Sequence, residues 1–359
     1  MQTNRRHINK QFLLKCLIIA FLMFQGCRTV GPKKIPADQF DFNKAINEAS
    51  SEQLLLNLVR LRYSEQPTFL KVGSIVNQYT RSGSANVLGG IGDGINGNTL
   101  STGGGVSWSN TPTITYLPIS GQEFSRNLLT PIPPWSLLGL IQSGWPIELV
   151  MTTAVWSVNG VFLEVARPSG RRIADPEISE LIDIWQFLGE NGMIGLRRGI
   201  KNPDIIKLFF QKTENQEYLE KISRFKDIIH LDAHADSFNI KYGLIQENAT
   251  EIAMITGSVW EIMLNLSWYF EVPPEHVTDG RTTQGFSAQD STVVAPINVL
   301  YAKEEPKDAI IKVFTQDHWF YIDNNDRNSK RYFSFLQLIL SLSENQSQAQ
   351  GPALTIPTN

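Results

Sequence analysis

A chain of 359 residues that is 42% hydrophobic and 19% charged has ample material for a large core and excludes a disordered or collagen-like polymer. A formal net charge of -3 offers no basic field, so no nucleic acid is expected as a partner. The two cysteines, Cys16 and Cys27, fall on either side of an expected cleavage, which leaves no disulfide framework and a fold held by packing.

Arg5, Arg6, Lys10 and Lys15 precede an uncharged run from Cys16 to Phe24. A positive segment followed by an apolar stretch far shorter than the ~20 residues of a spanning helix reads as an export signal. The next residues, Phe24-Gln25-Gly26-Cys27, place a bulky apolar side chain three before a cysteine and a small one directly before it. That arrangement resembles the lipobox of bacterial lipoproteins. The resemblance implies cleavage after Gly26, acyl chains on Cys27, and the lipid bilayer as a partner through those chains. At ~0.8 kcal/mol per buried methylene, several chains anchor the protein for good. Arg28 stands where inner-membrane lipoproteins of enterobacteria carry an aspartate, which implies the outer membrane. Residues 1–26 are thus expected to be a signal peptide and residues 27–41, with Gly31, Pro32 and Pro36, an extended lipidated tether.

Residues 42–342 read as one α+β body, mostly helical, with a long N-terminal β-hairpin and a second hairpin near the C-terminus. Helical spacing of Ala45, Ile46, Leu54, Leu58 and Leu61 predicts a helix that Pro67 ends. Between residues 72 and 118 the period changes to two. Ile75, Asn77, Tyr79, Arg81, Gly83, Ala85 and Val87 alternate with Gln78, Thr80, Ser82, Ser84 and Asn86; after a glycine-rich stretch, Val106, Trp108, Ile114 and Tyr116 alternate with serines and threonines. Pro112 should mark an edge or a bulge. Region 120–230 is predicted helical: Ser120 and Glu123 as a capping box, helices over 135–142, 147–158 and 178–188 (Asp175 as N-cap, Pro176 in the first turn), and weaker ones over 205–211 and 216–229. Region 237–342 is predicted to hold a strand at 237–243, a buried helix at 251–270, a hairpin of 309–314 with 319–322, and an amphipathic helix at 329–342. Residues 343–359 read as a disordered tail.

Three stretches, Glu52 to Tyr63, Thr113 to Phe124, and His318 to Asp323 with Ser329-Lys330, together resemble a family of uncharacterised exported proteins and lipoproteins of proteobacteria. That resemblance implies an envelope address and carries over no activity and no functional residues.

The chemistry-bearing residues are sparse. In extended backbone His230, Asp232, His234 and Asp236 share one face, which makes His230 and His234 weak candidate metal ligands beside the simpler reading of a solvated edge. Ser223 and Lys226 have Ser-x-x-Lys spacing but no companion triplet. No nucleophile elbow, zinc-binding helix or phosphate loop is present, so no catalytic residue and no cofactor is assigned. The 72–118 hairpin remains. Tyr79, Trp108 and Tyr116 on its apolar face are the candidate membrane or partner contacts; the alternative is a hairpin that simply covers the helices with this face inward, which Asn77 and Arg81 favour because they would be costly near a bilayer midplane. The sequence therefore predicts a non-enzymatic, outer-membrane-anchored lipoprotein that binds an envelope protein partner. Its alternatives are a subunit of an oligomeric pore or secretion channel, a homo-oligomer built from the hairpins, and a periplasmic enzyme without a recognisable motif.

Overall fold

The computed structural model describes residues 31–90, 99–167, 170–199, 205–286 and 296–344, with side chains from residue 39 onward except 74–112 and a few other single positions. Cys27, Gly26 and the signal segment lie outside the described residues, as does the tail from 345. The chain divides into two compact units, Met1–Glu52 and Gln53–Asn359, with the division inside the first helix.

That helix, α1 (Gly31–Arg62), begins where an extended tether was expected. Both prolines fall in its first two turns, the first of them where a missing N–H costs nothing, and no glycine or proline interrupts the chain from there to Arg62. Leu54, Leu55, Leu58 and Val59 are buried, and Arg60 and Arg62 in the last turn complement the helix dipole. Ser64, at a positive φ of 57°, ends it.

Strands β1 (Leu70–Gly90) and β2 (Thr99–Pro118) pair antiparallel, from Leu70 opposite Pro118 to Gly90 opposite Thr99. The irregularity in this ladder lies between Val72 and Ser74 rather than at Pro112, which sits in register opposite Asn77. Each strand of a two-stranded sheet is an edge, so a proline is tolerated there.

A short helix, α2 (Gly121–Phe124), passes into a π-turn over Ser125–Leu129. Ser120 occupies the N-cap without a side-chain hydrogen bond, so the expected capping box does not form. Next come α3 (Pro134–Gln142) and α4 (Ile147–Ala154). The expected helix to residue 158 stops at Ala154, because β3 (Val155–Val158) and β4 (Val161–Phe162) form a hairpin around Asn159-Gly160, both at positive φ. A small hairpin, β5 (Val165–Arg167) with β6 (Gly170–Arg172), leads to α5 (Glu177–Glu190), whose Ile178, Leu181, Ile182, Trp185 and Leu188 face the core. Asp175 does not cap α5; its carboxylate accepts from the Phe162 N–H at 2.8 Å.

After β7 (Ile194–Arg198), residues expected to be helical form β8 (Ile206–Phe210) instead. Ile206, Leu208 and Phe210 are buried while Lys207 is exposed, a two-residue period. Then follow α6 (Gln216–Ile228), β9 (Ser237–Tyr242) and β10 (Glu251–Thr256), the last in place of a predicted helix. Only from Val259 does that stretch become helical, as α7 (Val259–Ser267), with the capping box formed by Ser258 and Glu261. Between the two, Gly257 admits no side chain: a Cβ there would meet the Trp156 indole at 2.4 Å.

The body is therefore not mostly helical. Its centre is a six-stranded mixed sheet in the order β4-β3-β10-β9-β8-β7, parallel only between β9 and β10. After α8 (Pro274–Thr278), β11 (Leu300–Ala302), β12 (Ala309–Thr315) and β13 (His318–Asp323) form a second sheet in the order β11-β13-β12. The β12–β13 hairpin turns through Gln316 and Asp317, both left-handed. The closing helix α9 (Arg327–Glu344) buries Phe333, Phe335, Leu336 and Ile339, and takes in Ser343 and Glu344 from the stretch read as tail.

Candidate contact surface

The root of the β1–β2 pair is built into the body. Asn57 on α1 holds the chain just before β1 with both halves of its amide: Nδ2 donates to the Thr68 carbonyl at 2.8 Å, and Oδ1 accepts from the Thr68 N–H at 3.0 Å. Ile119 N–H donates to the Phe69 carbonyl, closing the root. Phe69 then packs edge-on against Phe124, and Phe124 against Trp260 of α7. From this fixed point the two strands run for 21 and 20 residues, about 65 Å at ~3.3 Å per residue. Among the described residues no third strand joins them.

Near the root the sheet shows an apolar surface. Leu70, Ile114, Tyr116 and Leu117 are all exposed, Tyr116 to 52%. Scattered exposed apolar residues are ordinary, but the register sets Leu70, Ile114 and Tyr116 on one face, with Leu117 on the other, so three large apolar side chains share one surface open to water. Of the candidate contact residues, Tyr116 belongs to this patch. Tyr79 and Trp108 are placed by the register alone, opposite Asn110 and Arg81 respectively. Charged residues are rare throughout: across both strands they are Lys71 and Arg81.

The other candidate residues are not brought together. His230 sits in a left-handed turn (φ 54°), and the Asp232 carboxylate folds back to accept from the His234 N–H at 2.8 Å. The segment is a pair of turns rather than a strand, so His230 and His234 do not share a face. No group of three metal-ligating side chains occurs among the described residues. Ser223 is exposed, whereas Lys226 is buried, donating to the Ala233 carbonyl at 2.9 Å with its ammonium over the Phe210 and Phe238 rings. Burial pulls the Lys226 pKa down, partly offset by Asp236 and Asp232. The two residues make no nucleophile pair.

One cluster escaped the sequence reading. Tyr63 Oη lies 2.7 Å from His276 Nδ1, and the His276 and His318 rings stand edge to face with centroids 4.9 Å apart. Next to them Arg62, only 2% exposed, stacks on Trp268, donates to Thr282 Oγ1 and to the Thr283 carbonyl, and has no carboxylate partner among the described residues. Desolvation draws its pKa to about 10 and pushes that of Tyr63 up to about 12, so both keep their protons at neutral pH. A tyrosine–histidine–histidine chain has the parts of a proton relay. All three side chains are buried, however, and they bind one another rather than a solute. The histidines are single residues far apart in sequence, and no spacing would have announced them.

A cavity of about 520 Å³ opens beside the edge strand β7, lined by Ile141, Trp145, Ile147, Trp185 and Leu196, with Gln142 donating to the Leu196 carbonyl at 3.1 Å. Glu190 on its rim is occupied by the Gln186 amide at 2.8 Å. Nothing in it is arranged for bond-breaking chemistry. No family model, no curated protein and no solved structure matches this chain. The functional reading therefore rests on its own residues.

Proposed function

We propose that this chain is a lipoprotein of the bacterial outer membrane, held there by acyl chains on Cys27, which acts without catalysis by presenting β1 and β2 as one free-standing hairpin arm to a protein partner in the envelope. The observation that carries the reading is the paired ladder itself. A two-stranded ribbon is marginal in water unless a third element covers it. This one has strands of 21 and 20 residues, is fixed at its root by Asn57 and Phe124, and exposes Leu70, Ile114, Tyr116 and Leu117. The basic leader, the Gly26-Cys27 pair and the likeness to proteobacterial exported lipoproteins support the address.

Two experiments test it. Radiolabelled palmitate must enter the protein, and Cys27→Ser must abolish the labelling; a mature N-terminus other than Cys27 removes the anchor. For the arm, Ser82–Ser107 is replaced by an Asn-Gly turn. An arm that packs only at its root leaves the melting temperature of the body unchanged. A large drop means that the strands cover the body, and the reading fails.

A further inference from the structure

Resting on the arm reading, we propose that the hairpin's partner is further copies of this chain, and that the distal halves of the ribbons join side by side in the bilayer as one closed β-barrel with an uncharged polar lumen. The argument starts from a change in composition at one rung. Below the rung that opposes Arg81 and Trp108 lie Lys71, Tyr79, Pro112 and Tyr116. Above it, residues 82–90 and 99–107 contain no charged and no aromatic residue. Nine residues per strand is the length of a tilted membrane-crossing strand, about 9–11 residues. An arginine and a tryptophan at the border of such a segment are what a membrane interface accommodates, the one by reaching to headgroups and the other by its amphipathic ring.

The register sorts the distal rungs into two sets. Gly83 with Val106, Ala85 with Gly104, Val87 with Thr102 and Gly89 with Leu100 fall on one face. Ser82 with Ser107, Ser84 with Gly105, Asn86 with Gly103 and Leu88 with Ser101 fall on the other. The first set is small and mainly apolar and suits lipid; the second is mainly serine, glycine and asparagine and suits water. The placement also sets Arg81, which would be costly at the midplane, at the edge of the proposed span.

Closure follows from hydrogen bonding. Both strands are edges, so alternate residues along each direct N–H and C=O groups away from the pair. Hydrocarbon cannot satisfy those groups, and two strands cannot close on themselves. Pairing β2 of one copy with β1 of the next satisfies all of them. It is a head-to-tail contact that ends only when a ring closes, which needs at least about four copies for the smallest, eight-stranded barrel. With no charged residue on the lumen set, such a barrel passes small hydrophilic solutes with little preference for either ion sign.

The full lipidated protein, reconstituted in phosphatidylethanolamine–phosphatidylglycerol vesicles, provides the test. Single cysteines are placed as Ser84→Cys, Ala85→Cys, Asn86→Cys and Val87→Cys and treated with a membrane-impermeant maleimide. The expected result is alternation: fast labelling at 84 and 86, labelling slowed many-fold at 85 and 87, leakage of trapped sucrose, and cross-linked species above the dimer. Equal labelling at all four positions overturns the barrel. So does alternation without sucrose leakage, which describes a ribbon lying on a surface. Either outcome leaves the arm reading standing if the Asn-Gly replacement still melts like the parent, and takes it down as well if it does not.

Discussion

Tyr63 Oη and His276 Nδ1 lie 2.7 Å apart, and the count of unpaired atoms makes the phenol the donor. The opposite assignment would leave both the phenolic hydrogen and the His276 Nε2 lone pair without partners. With Tyr63 as donor, His276 carries its proton on Nε2, which has no hydrogen-bond partner among the described residues. His318 Nδ1 faces the Gln316 carbonyl, which can only accept, at 3.2 Å and so carries a hydrogen. Tyr63→Phe keeps the ring packing and removes the donor. Leaving a buried acceptor unpaired costs roughly 1–3 kcal/mol, to be read as a shift in the urea midpoint at unchanged slope.

The same cluster is expected to make the fold acid-sensitive. The His276 pKa lies below its ordinary 6.5, chiefly through burial and then through the charges of Arg281 and His318, against the smaller pull of Asp279 and Glu275. A histidine depressed in the folded state binds fewer protons there than in the unfolded chain. Its contribution is therefore complete above pH 6.5 and falls away as the pH drops below that value. Thermal melts from about pH 8 to pH 5 are expected to show a declining melting temperature on the acid side. His276→Phe should flatten that limb, and an unchanged slope in the variant assigns the acid sensitivity elsewhere.

The amphipathic elements were readable and the doubly buried ones were not. Helix α5 shows its Ile178, Leu181, Trp185 and Leu188 stripe in the sequence, and β12–β13 alternates openly, because each has a wet face. Strand β10 runs through the middle of its sheet, and Ile252, Ala253 and Met254 are all buried, so its period-two signature is lost in a continuous apolar run that also suits a helix. Its one charge, Glu251, looked like an interruption but is neutralised by Lys241 of the neighbouring strand at 2.6 Å. The β3–β4 turn was legible in Asn159-Gly160, a dipeptide that selects left-handed backbone, and reading residues 147–158 as one helix passed over it. Of the contact surface, the alternation of β1 and β2 is written in the sequence. The clamp that Asn57 places on Thr68 is not, since an asparagine inside a leucine-rich helix resembles any solvent-facing polar residue.

That clamp is separately testable. Asn57→Ala leaves the N–H and the carbonyl of Thr68, both in part-buried hydrogen bonds, without their side-chain partners. The expected loss is about 1–3 kcal/mol, with faster amide hydrogen exchange at Thr68 than elsewhere in the body. Asn57→Asp should do worse, because it keeps the acceptor, removes the donor and buries a carboxylate opposite the Thr68 carbonyl.

The β5–β6 hairpin depends on a shielded ion pair. Arg171 donates from Nε and Nη2 to the two oxygens of Glu164, both at 2.8 Å, and Tyr269 donates to Glu164 Oε1 at 2.7 Å. The paired side chains are only 12% and 9% exposed, so solvent screens them little. The Tyr269 pKa is raised well above its ordinary value, first by burial and then by this hydrogen bond, which keeps the phenol a donor. Removing one partner of such a pair is far costlier than removing both, because the survivor is a buried charge without its counter-ion. Glu164→Ala is therefore expected to destabilise by roughly 3–5 kcal/mol, and Glu164→Leu combined with Arg171→Met to recover most of the loss. If the double variant is as unstable as the single one, the hairpin depends on the hydrogen bonds themselves rather than on charge balance, and the coupling measured in the cycle shows which.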